Sequence, residues 1–326
     1  MNNFNLDTLL ERYHHTIILI HIRPDGDAIG SALALKKALK QRGKDVQLFC
    51  ADVIPSKYSF LPGIENFKDH INPNNAETLV FILDCSDLDR LGYMKETVLN
   101  LSGVIVNIDH HITNDLFGDF NIVDVNASAT AEIIYRLLRE NKINIDPEIS
   151  LCLYVGISSD TGFFKYENTS PRAMCIAAGL LRQGINPSLV SQKIFDELSV
   201  PAIKLLSDAL ATLEFEDEGR IAWMKVRDDM LQKHRAKPEE LDGFVNYTKN
   251  IEGVEAGIFF YHTDKNLETK IAFRSKTIDV SRIAKKFGGG GHPLAAGCTI
   301  KGKQNEVEAL VLNAVKKAIK EQVLPE

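Results

Sequence analysis

Four short segments of this chain gather side chains that bind divalent cations or move protons. They are His21-Ile22-Arg23-Pro24-Asp25-Gly26-Asp27, the single Asp84, Asp109-His110-His111, and Asp160 within Gly156-Ile157-Ser158-Ser159-Asp160-Thr161-Gly162. Asp25 and Asp27 stand two apart in a turn, so they can point at adjacent positions and offer a carboxylate to each of two hard ions, with His21 just upstream. Asp84, alone at the end of its apolar run, is suited to bridge such a pair, and His110 and Asp160 could complete the ligand set of the second ion. His111 is then left to contact a phosphate or to protonate a leaving oxygen. A mixed set of imidazole and carboxylate favours Mn²⁺, ahead of Mg²⁺, Zn²⁺ or Fe²⁺. Two such ions, roughly 3.5–4 Å apart, activate water and neutralise phosphoryl oxygens during in-line displacement.

Taken singly, each residue has an ordinary reading. Pro24-Asp25-Gly26 is turn sequence, Asp84 could cap a helix, Asp160 could form a turn, and His21 could be a satisfied histidine. His14, His15, His70, His234 and His262 have no such company and read as surface or packing residues. The joint pattern is the informative one, because all four segments end apolar elements. A second region, Gly288-Gly289-Gly290-Gly291-His292, follows a helix expected over Asp279–Phe287. One Gly would stop that helix; four suggest main-chain amides open to an anion. Arg274, in Phe273-Arg274-Ser275 at the end of the preceding strand, adds a guanidinium suited to bidentate phosphate binding.

These side chains need a scaffold that brings strand ends together. Thr16–Ile20, Val46–Cys50, Leu79–Leu83 and Val104–Ile108 read as buried strands, and Ile29–Gln41 as a helix closed by Gly43. Ser128 or Thr130 is expected to cap a helix running to Glu140. The alternation predicts an α/β fold with a largely parallel sheet and helices on both faces. Ligands of such sheets bind beyond the carboxyl ends of the strands, which is where His21, Asp84 and Asp109–His111 lie. From Asp146-Pro147 the pattern turns helical, with start signals repeated at Ser170-Pro171 and Asn186-Pro187. Ser199–Leu213 reads as a connecting helix. A smaller α/β region follows, in the order β, helix, β, β, helix, β, helix, with strands near 221–226, 254–261, 269–275 and 295–300 and a last helix near 304–322.

Composition narrows the function classes. At 326 residues the chain accommodates two domains, and 44% apolar and 25% charged residues are ordinary for a globular protein. No apolar stretch approaches the roughly 20 residues of a membrane span, and no secretory signal is evident. Five scattered cysteines without a CxxC pair argue for reduced thiols and a cytoplasmic protein. A net charge of −6, without a basic stripe, argues against a stable complex with long nucleic acid. A homodimer is allowed but not required.

The motifs His21-x-x-Pro24-Asp25-x-Asp27-Ala28-x-Gly30-Ser31, Leu83-Asp84, Asp109-His110-His111, Ser159-Asp160-Thr161-Gly162 and Gly288–Gly291-His292 resemble, in this order, those of the DHH phosphoesterases with a C-terminal DHHA1 domain. Within them the chain is similar to the nanoRNase/oligoribonuclease (NrnA-like) group. The resemblance implies a DHH catalytic domain over 1–190, a helical linker over 191–213 and a DHHA1 substrate-binding domain over 214–326. It implies a dimanganese centre, with one ion on His21, Asp25 and Asp84 and the other on Asp27, Asp84, His110 and Asp160. His111 would sit beside the scissile phosphate, with Asp109 supporting its loop. Arg274, Ser275, Gly290, Gly291 and His292 would grip the substrate. Implied substrates are RNA fragments of a few nucleotides, linear dinucleotides such as pApA and pGpG, and 3′-phosphoadenosine 5′-phosphate. Competing readings are a RecJ-type single-strand exonuclease, which usually carries further nucleic-acid-binding domains, a cyclic dinucleotide phosphodiesterase, and a family II inorganic pyrophosphatase, whose Lys- and Arg-rich clamp is not found. A non-catalytic nucleotide-binding module is the reading from a different class.

Overall fold

Apolar residues occupy both faces of the central strands, and the reason is visible in what covers them. The computed structural model describes residues 4–72, 77–263 and 267–322, and the chain divides into two compact units, Met1–Glu197 and Leu198–Glu326. The first unit runs α1 (Leu6–Arg12), β1 (His15–Ile20), α2 (Gly26–Gln41), β2 (Val46–Phe49), β3 (Phe67–Lys68), β4 (Thr78–Leu83), α3 (Met94–Leu99), β5 (Gly103–Asp109), β6 (Phe120–Val123), α4 (Thr130–Glu140), α5 (Pro147–Asp160), α6 (Pro171–Leu181) and α7 (Pro187–Ser191). Its strands form a six-stranded parallel sheet in the order β3-β2-β1-β4-β5-β6. Ile18, Ile20, Phe81 and Leu83 pack beneath α2, α4 and α5. Ile17, Leu19, Val80 and Ile82 face Leu91, Met94 and Val98 on the other side. Burial on both faces removes the polar alternation that a one-sided sheet would show. The strand order reverses between β1 and β4, and the residues following these two strands include His21 and Asp84. Such a switch point is where open parallel sheets hold their ligands.

Two glycines set the depth at which α2 and α5 pack antiparallel. A Cβ on Gly30 would stand 2.3 Å from the Cys152 carbonyl oxygen, and one on Gly156 would stand 2.5 Å from the Ala131 Cβ and 2.9 Å from Asp27 Oδ1. The close approach brings the C-terminal end of α5, with Asp160, beside the N-terminal end of α2, with Asp27.

The second unit comprises α8 (Val200–Leu210), β7 (Glu214–Glu216), β8 (Ile221–Arg227), α9 (Asp228–His234), α10 (Val245–Lys249), β9 (Ala256–Thr263), β10 (Glu268–Ser275), α11 (Val280–Lys286), β11 (Gly290–His292), β12 (Ala295–Lys301) and α12 (Gln304–Gln322). Its sheet order is β11-β12-β10-β9-β8-β7, with β8 and β9 parallel and the other pairs antiparallel. Ile258, Phe260, Ile271 and Phe273 pack on one face with α11 and α12. Met224, Val226, Phe259 and Tyr261 pack on the other with α8, α9 and α10.

Several expectations change. Helix α8, read as a connecting helix, packs through Leu205, Leu206 and Ala209 into the second unit, so the division after Glu197 falls within the expected linker. Strands β3, β6, β7 and β11 were not expected. Neither Ser128 nor Thr130 caps α4: its N-cap is Ala129, which makes no side-chain cap bond.

Candidate active site

Asp25 closes the β1–α2 loop as the N-cap of α2. Its Oδ1 accepts from the amides of Asp27 (3.0 Å) and Ala28 (3.1 Å), which leaves Oδ2 turned towards His21 Nε2 at 3.9 Å. Asp27, in the first turn of α2, is fully buried. Its Oδ2 accepts from the Thr130 amide at 2.6 Å, and its Oδ1 from the Ala131 amide at 2.9 Å and the Ser31 hydroxyl at 3.3 Å. This carboxylate therefore supplies the missing cap of α4, which explains why Ser128 and Thr130 do not. An anion at a helix N-terminus is favourable there. Ser128 instead donates its hydroxyl to the Asn168 carbonyl.

Asp84 follows β4 with a left-handed backbone, φ 59°, a conformation that Asp tolerates better than most residues. It is buried, and its Oδ1 accepts from the Thr130 hydroxyl at 2.9 Å. Two histidines then converge on it. His21 Nε2 lies 3.4 Å from Asp84 Oδ2. His110 Nε2 lies 3.6 Å from Asp84 Oδ1, 3.0 Å from Asp160 Oδ2 and 4.0 Å from Asp27 Oδ2.

The other nitrogen of each ring decides what these approaches mean. His21 Nδ1 meets the Ile22 carbonyl at 2.8 Å, and His110 Nδ1 meets the Ala127 carbonyl at 3.2 Å. A carbonyl only accepts, so Nδ1 carries the proton in both rings. Each ring thus turns Nε2 onto carboxylate oxygens, an arrangement that requires either a proton on Nε2 or a cation between the groups. The donor atoms fall into clusters within 4.8 Å: His21, Asp25 and Asp84; Asp27, His110 and Asp160; and Asp84, Asp109 and His111. Asp84 belongs to two of them, and its second oxygen approaches His110 of the remaining one. The donor set, with each ring anchored through Nδ1 on a main-chain carbonyl, fits a divalent cation site.

Electrostatics report the same excess of negative charge. Burial, then the charges of Asp84 and Asp160, raise the Asp27 pKa well above its ordinary value. Burial pushes Asp84 upward, but the hydrogen bond to His21 and the charges of His111, His21 and His110 outweigh it and hold the carboxyl well below the usual range. Burial disfavours charge on His110, yet the hydrogen bond to Asp160 and the charges of Asp160, Asp84 and Asp27 raise its pKa well above the usual imidazole value.

His111 is tied differently. Its Nδ1 contacts Asp109 Oδ1 at 2.7 Å, and Asp109 Oδ2 accepts from the Asn114 amide group at 2.6 Å. Asn114 also reaches Asn107 Oδ1 (2.8 Å) and the Cys85 carbonyl (3.1 Å). Asp109 is fully buried and ties the His111 ring to the Asn114 loop. Thr130, Asn107 and Asn114 were missed in the sequence because nothing local distinguishes them from capping or loop residues.

In the second unit, the register runs His292↔Ala295↔Arg274↔Gly257 across β11, β12, β10 and β9. Residues directly opposite share a face, so Arg274 and His292 flank Ala295 on one side of the sheet, roughly 10 Å apart at two strand spacings. Ser275 does not offer its hydroxyl to a ligand. It is buried, accepts from the amides of Thr277 (3.0 Å) and Ile278 (2.8 Å) and donates to the Glu255 carbonyl (3.2 Å). It fixes the turn that follows Arg274. Nor is the glycine run a nest of four open amides. The Gly288 and Gly289 amides close α11 on the Lys285 and Ala284 carbonyls, and Gly290–His292 pairs with β12 as an edge strand. A Cβ on Gly289 would stand 2.1 Å from the Gly297 carbonyl oxygen, and one on Gly291 2.5 Å from that of Ala295, so packing demands both glycines. Gly290 meets no such atom within 4 Å, and its bare face is open.

The DHH family N-terminal domain model matches residues 15–157, and the DHHA1 domain model matches residues 220–321. A bifunctional oligoribonuclease and PAP phosphatase NrnA of Thermus thermophilus is 31% identical over 93% of this chain and 89% of its own length. A Bacillus subtilis protein of the same name is 30% identical over 88% of this chain and 90% of its own. The crystal structure of an exopolyphosphatase-related protein from Bacteroides fragilis superimposes with a TM-score of 0.87 at 26% identity, covering 95% of this chain and 94% of that one.

Proposed function

Since the chain belongs to the DHH family and carries its DHHA1 domain, we propose that it is a two-metal phosphoesterase that hydrolyses oligoribonucleotides of a few residues to mononucleotides and 3′-phosphoadenosine 5′-phosphate to AMP. The observation that carries this reading is the pair of Nδ1-anchored imidazoles, His21 and His110, turned onto the carboxylates of Asp25, Asp27, Asp84 and Asp160. The names of the relatives over nearly their full lengths support the substrate class.

His21, Asp25 and Asp84 would hold one ion, and Asp27, Asp84, His110 and Asp160 the other, with Mn²⁺ favoured by the mixed donor set. Two bound cations would lower the pKa of the attacking water and neutralise the phosphoryl oxygens. Thr130 steadies the Asp84 carboxylate through its hydroxyl. His111 donates Nδ1–H to Asp109, so Nε2 is the atom that holds the exchangeable proton. Burial opposes charge on this ring, but the Asp109 hydrogen bond and the Asp84 charge raise its pKa. That suits it to contact a phosphoryl oxygen and to protonate the leaving oxygen. Arg274 and His292 bind a phosphate other than the scissile one, with Ser275 holding the Arg274 turn.

Preference for short substrates follows from the net charge of −6, since long strands depend on a basic footprint and counterion release. All five cysteines are free thiols, as a reducing cytoplasm would keep them, and no helix among the described residues is long and apolar enough to cross a membrane. The deciding assay is Mn²⁺-dependent hydrolysis of pApA, pGpG, a 24-nucleotide RNA, 3′-phosphoadenosine 5′-phosphate, a cyclic dinucleotide and pyrophosphate. Fast release of mononucleotides from the dinucleotides, and of phosphate from the bisphosphate, is expected. Equal rates on dinucleotide and long RNA, or turnover of pyrophosphate alone, would overturn the reading.

A further inference from the structure

The two histidines turned onto the carboxylate cluster are held by carbonyls, and each of those carbonyls is itself backed by an acid. His110 Nδ1 meets the Ala127 carbonyl at 3.2 Å. The amide of the same peptide group, on Ser128, donates to Glu132 Oε2 at 3.0 Å. The N–H and C=O of a trans peptide point in opposite directions, so Glu132 stands behind the peptide and His110 in front of it. His21 repeats the arrangement on a different loop. Its Nδ1 meets the Ile22 carbonyl at 2.8 Å, and the Arg23 amide, the other half of that peptide, donates to Asp52 Oδ2 at 2.8 Å. His111, by contrast, contacts its carboxylate, Asp109, directly.

Ordinary capping does not account for Glu132. It is the third residue of α4, whose N-cap is Ala129, and a capping box would return its carboxylate to the N-cap amide. Glu132 passes that amide and takes the one before it. The side chain is fully buried, and its other oxygen accepts from Arg172 Nε. Arg172 continues to Asp124 Oδ2 at 3.2 Å and the Asn126 carbonyl at 3.4 Å, so it fixes Glu132 against the turn that carries Ala127. A hydrogen bond to a carboxylate is roughly twice as strong as a neutral one. It also polarises the peptide, which makes the carbonyl on its far side a better acceptor, and burial amplifies the effect. Asp52 is exposed, so its pull on the Ile22–Arg23 peptide is screened by solvent.

We propose that Glu132 and, more weakly, Asp52 are positioning residues, each acting through one peptide group to hold the Nδ1 proton and the ring orientation of His110 and His21. Each ring is thereby set to offer Nε2 to a divalent cation. The proposal rests on the two-metal reading of the carboxylate cluster.

The test is Mn²⁺ titration calorimetry on the full metal-free chain, with the fold checked by circular dichroism. Wild type, Glu132→Gln, Asp52→Asn, Ser128→Ala and His110→Ala are compared, and the binding step lost in His110→Ala marks the ion that His110 holds. Gln keeps an oxygen for the Ser128 amide and removes only the charge. In Glu132→Gln the marked step should weaken about ten- to a hundredfold and the other step by less than about threefold. Asp52→Asn should weaken the other step roughly two- to fivefold. Ser128→Ala deletes the hydroxyl contacts to Asn168 and Ser170 but keeps the amide, and should leave both steps unchanged. If Glu132→Gln leaves the marked step within about twofold of the wild type, or if Ser128→Ala weakens it equally, Glu132 serves the loop and not the ring. Should Glu132→Gln fail to fold, an unchanged step in Asp52→Asn rules out the action through a peptide. A fully active wild type that binds a single ion overturns the two-metal reading instead, whatever the variants show.

Discussion

Each unit buries a cluster of ionisable groups, and the two clusters are built on opposite principles. In the second unit Glu308, on α12, meets Lys225 Nζ at 3.1 Å and His262 Nε2 at 2.7 Å. His262 in turn contacts the Thr269 hydroxyl at 2.9 Å through Nδ1 and stacks on Phe260. Burial pushes Glu308 upward, but the His262 and Lys225 hydrogen bonds outweigh it and lower its pKa. Its charge is matched within the fold. In the first unit Asp27 is pushed the other way, because burial and the neighbouring Asp84 and Asp160 charges outweigh the charge of His110. A buried cluster with balanced charge serves architecture. One with an excess of a single sign has room for a ligand of the opposite sign.

The largest expected effect separates chemistry from folding. Asp84→Ala removes the carboxylate shared between donor clusters and should lower Mn²⁺-dependent hydrolysis of pApA roughly a thousandfold or more, given the several kcal/mol that bound cations contribute. Near wild-type turnover would break the two-metal reading. Next, Glu308→Ala should destabilise the second unit by about 3 kcal/mol, because it strands Lys225 and His262. The chain's single tryptophan, Trp223, is buried in that unit, so its fluorescence during urea unfolding reports this loss directly. Asp27→Asn should show the opposite sign, leaving stability in chelator unchanged or higher while hydrolysis with Mn²⁺ restored falls. A loss comparable to that of Glu308→Ala would mean that capping α4 outweighs the charge excess.

The pH dependence follows the same contrast. The Glu308 contribution, from a lowered folded pKa, is present above the unfolded value of about 4.3 and lost as pH falls through the folded pKa. Asp27, with a raised folded pKa, contributes most below about 3.9 and loses that contribution as pH rises through its folded value. Acid titration of Trp223 fluorescence in the wild type and Glu308→Gln should show the first effect and lose it in the variant. A smaller effect is expected from Thr130→Val, which removes the hydroxyl that steadies Asp84. Mn²⁺ affinity should fall about ten- to a hundredfold with the fold intact, as read by titration calorimetry and circular dichroism.

Much of the carboxylate site was legible because its residues sit at the ends of apolar runs, and strand ends in a parallel sheet must converge. His21, Asp25, Asp27, Asp84, His110 and Asp160 all fall within the clusters described above. What could not be read depends on contacts distant in the chain. Thr130 resembled a helix cap until Asp27, more than a hundred residues earlier, took that place. Gly257 carries no motif, and the need for it arises from how closely α10 approaches β9, where a Cβ would stand 2.6 Å from the Lys249 amide nitrogen. Ser275 looked like a ligand contact, but the turn it stabilises consumes its hydroxyl. Strand β7 lies in an acidic stretch and β11 in a glycine run, since edge strands tolerate residues that central strands exclude.

On the proposed reading, the carboxylate excess of the first unit would hold two divalent ions, with Asp84 a ligand of both. Equilibrium dialysis against Mn²⁺, with protein-bound metal counted by elemental analysis, tests it most directly. The wild type should bind two ions per chain, and Asp84→Asn should bind fewer than one while retaining its circular dichroism spectrum. A folded Asp84→Asn that still binds two ions, or a fully active wild type that saturates at one, would rule out a two-ion centre sharing Asp84.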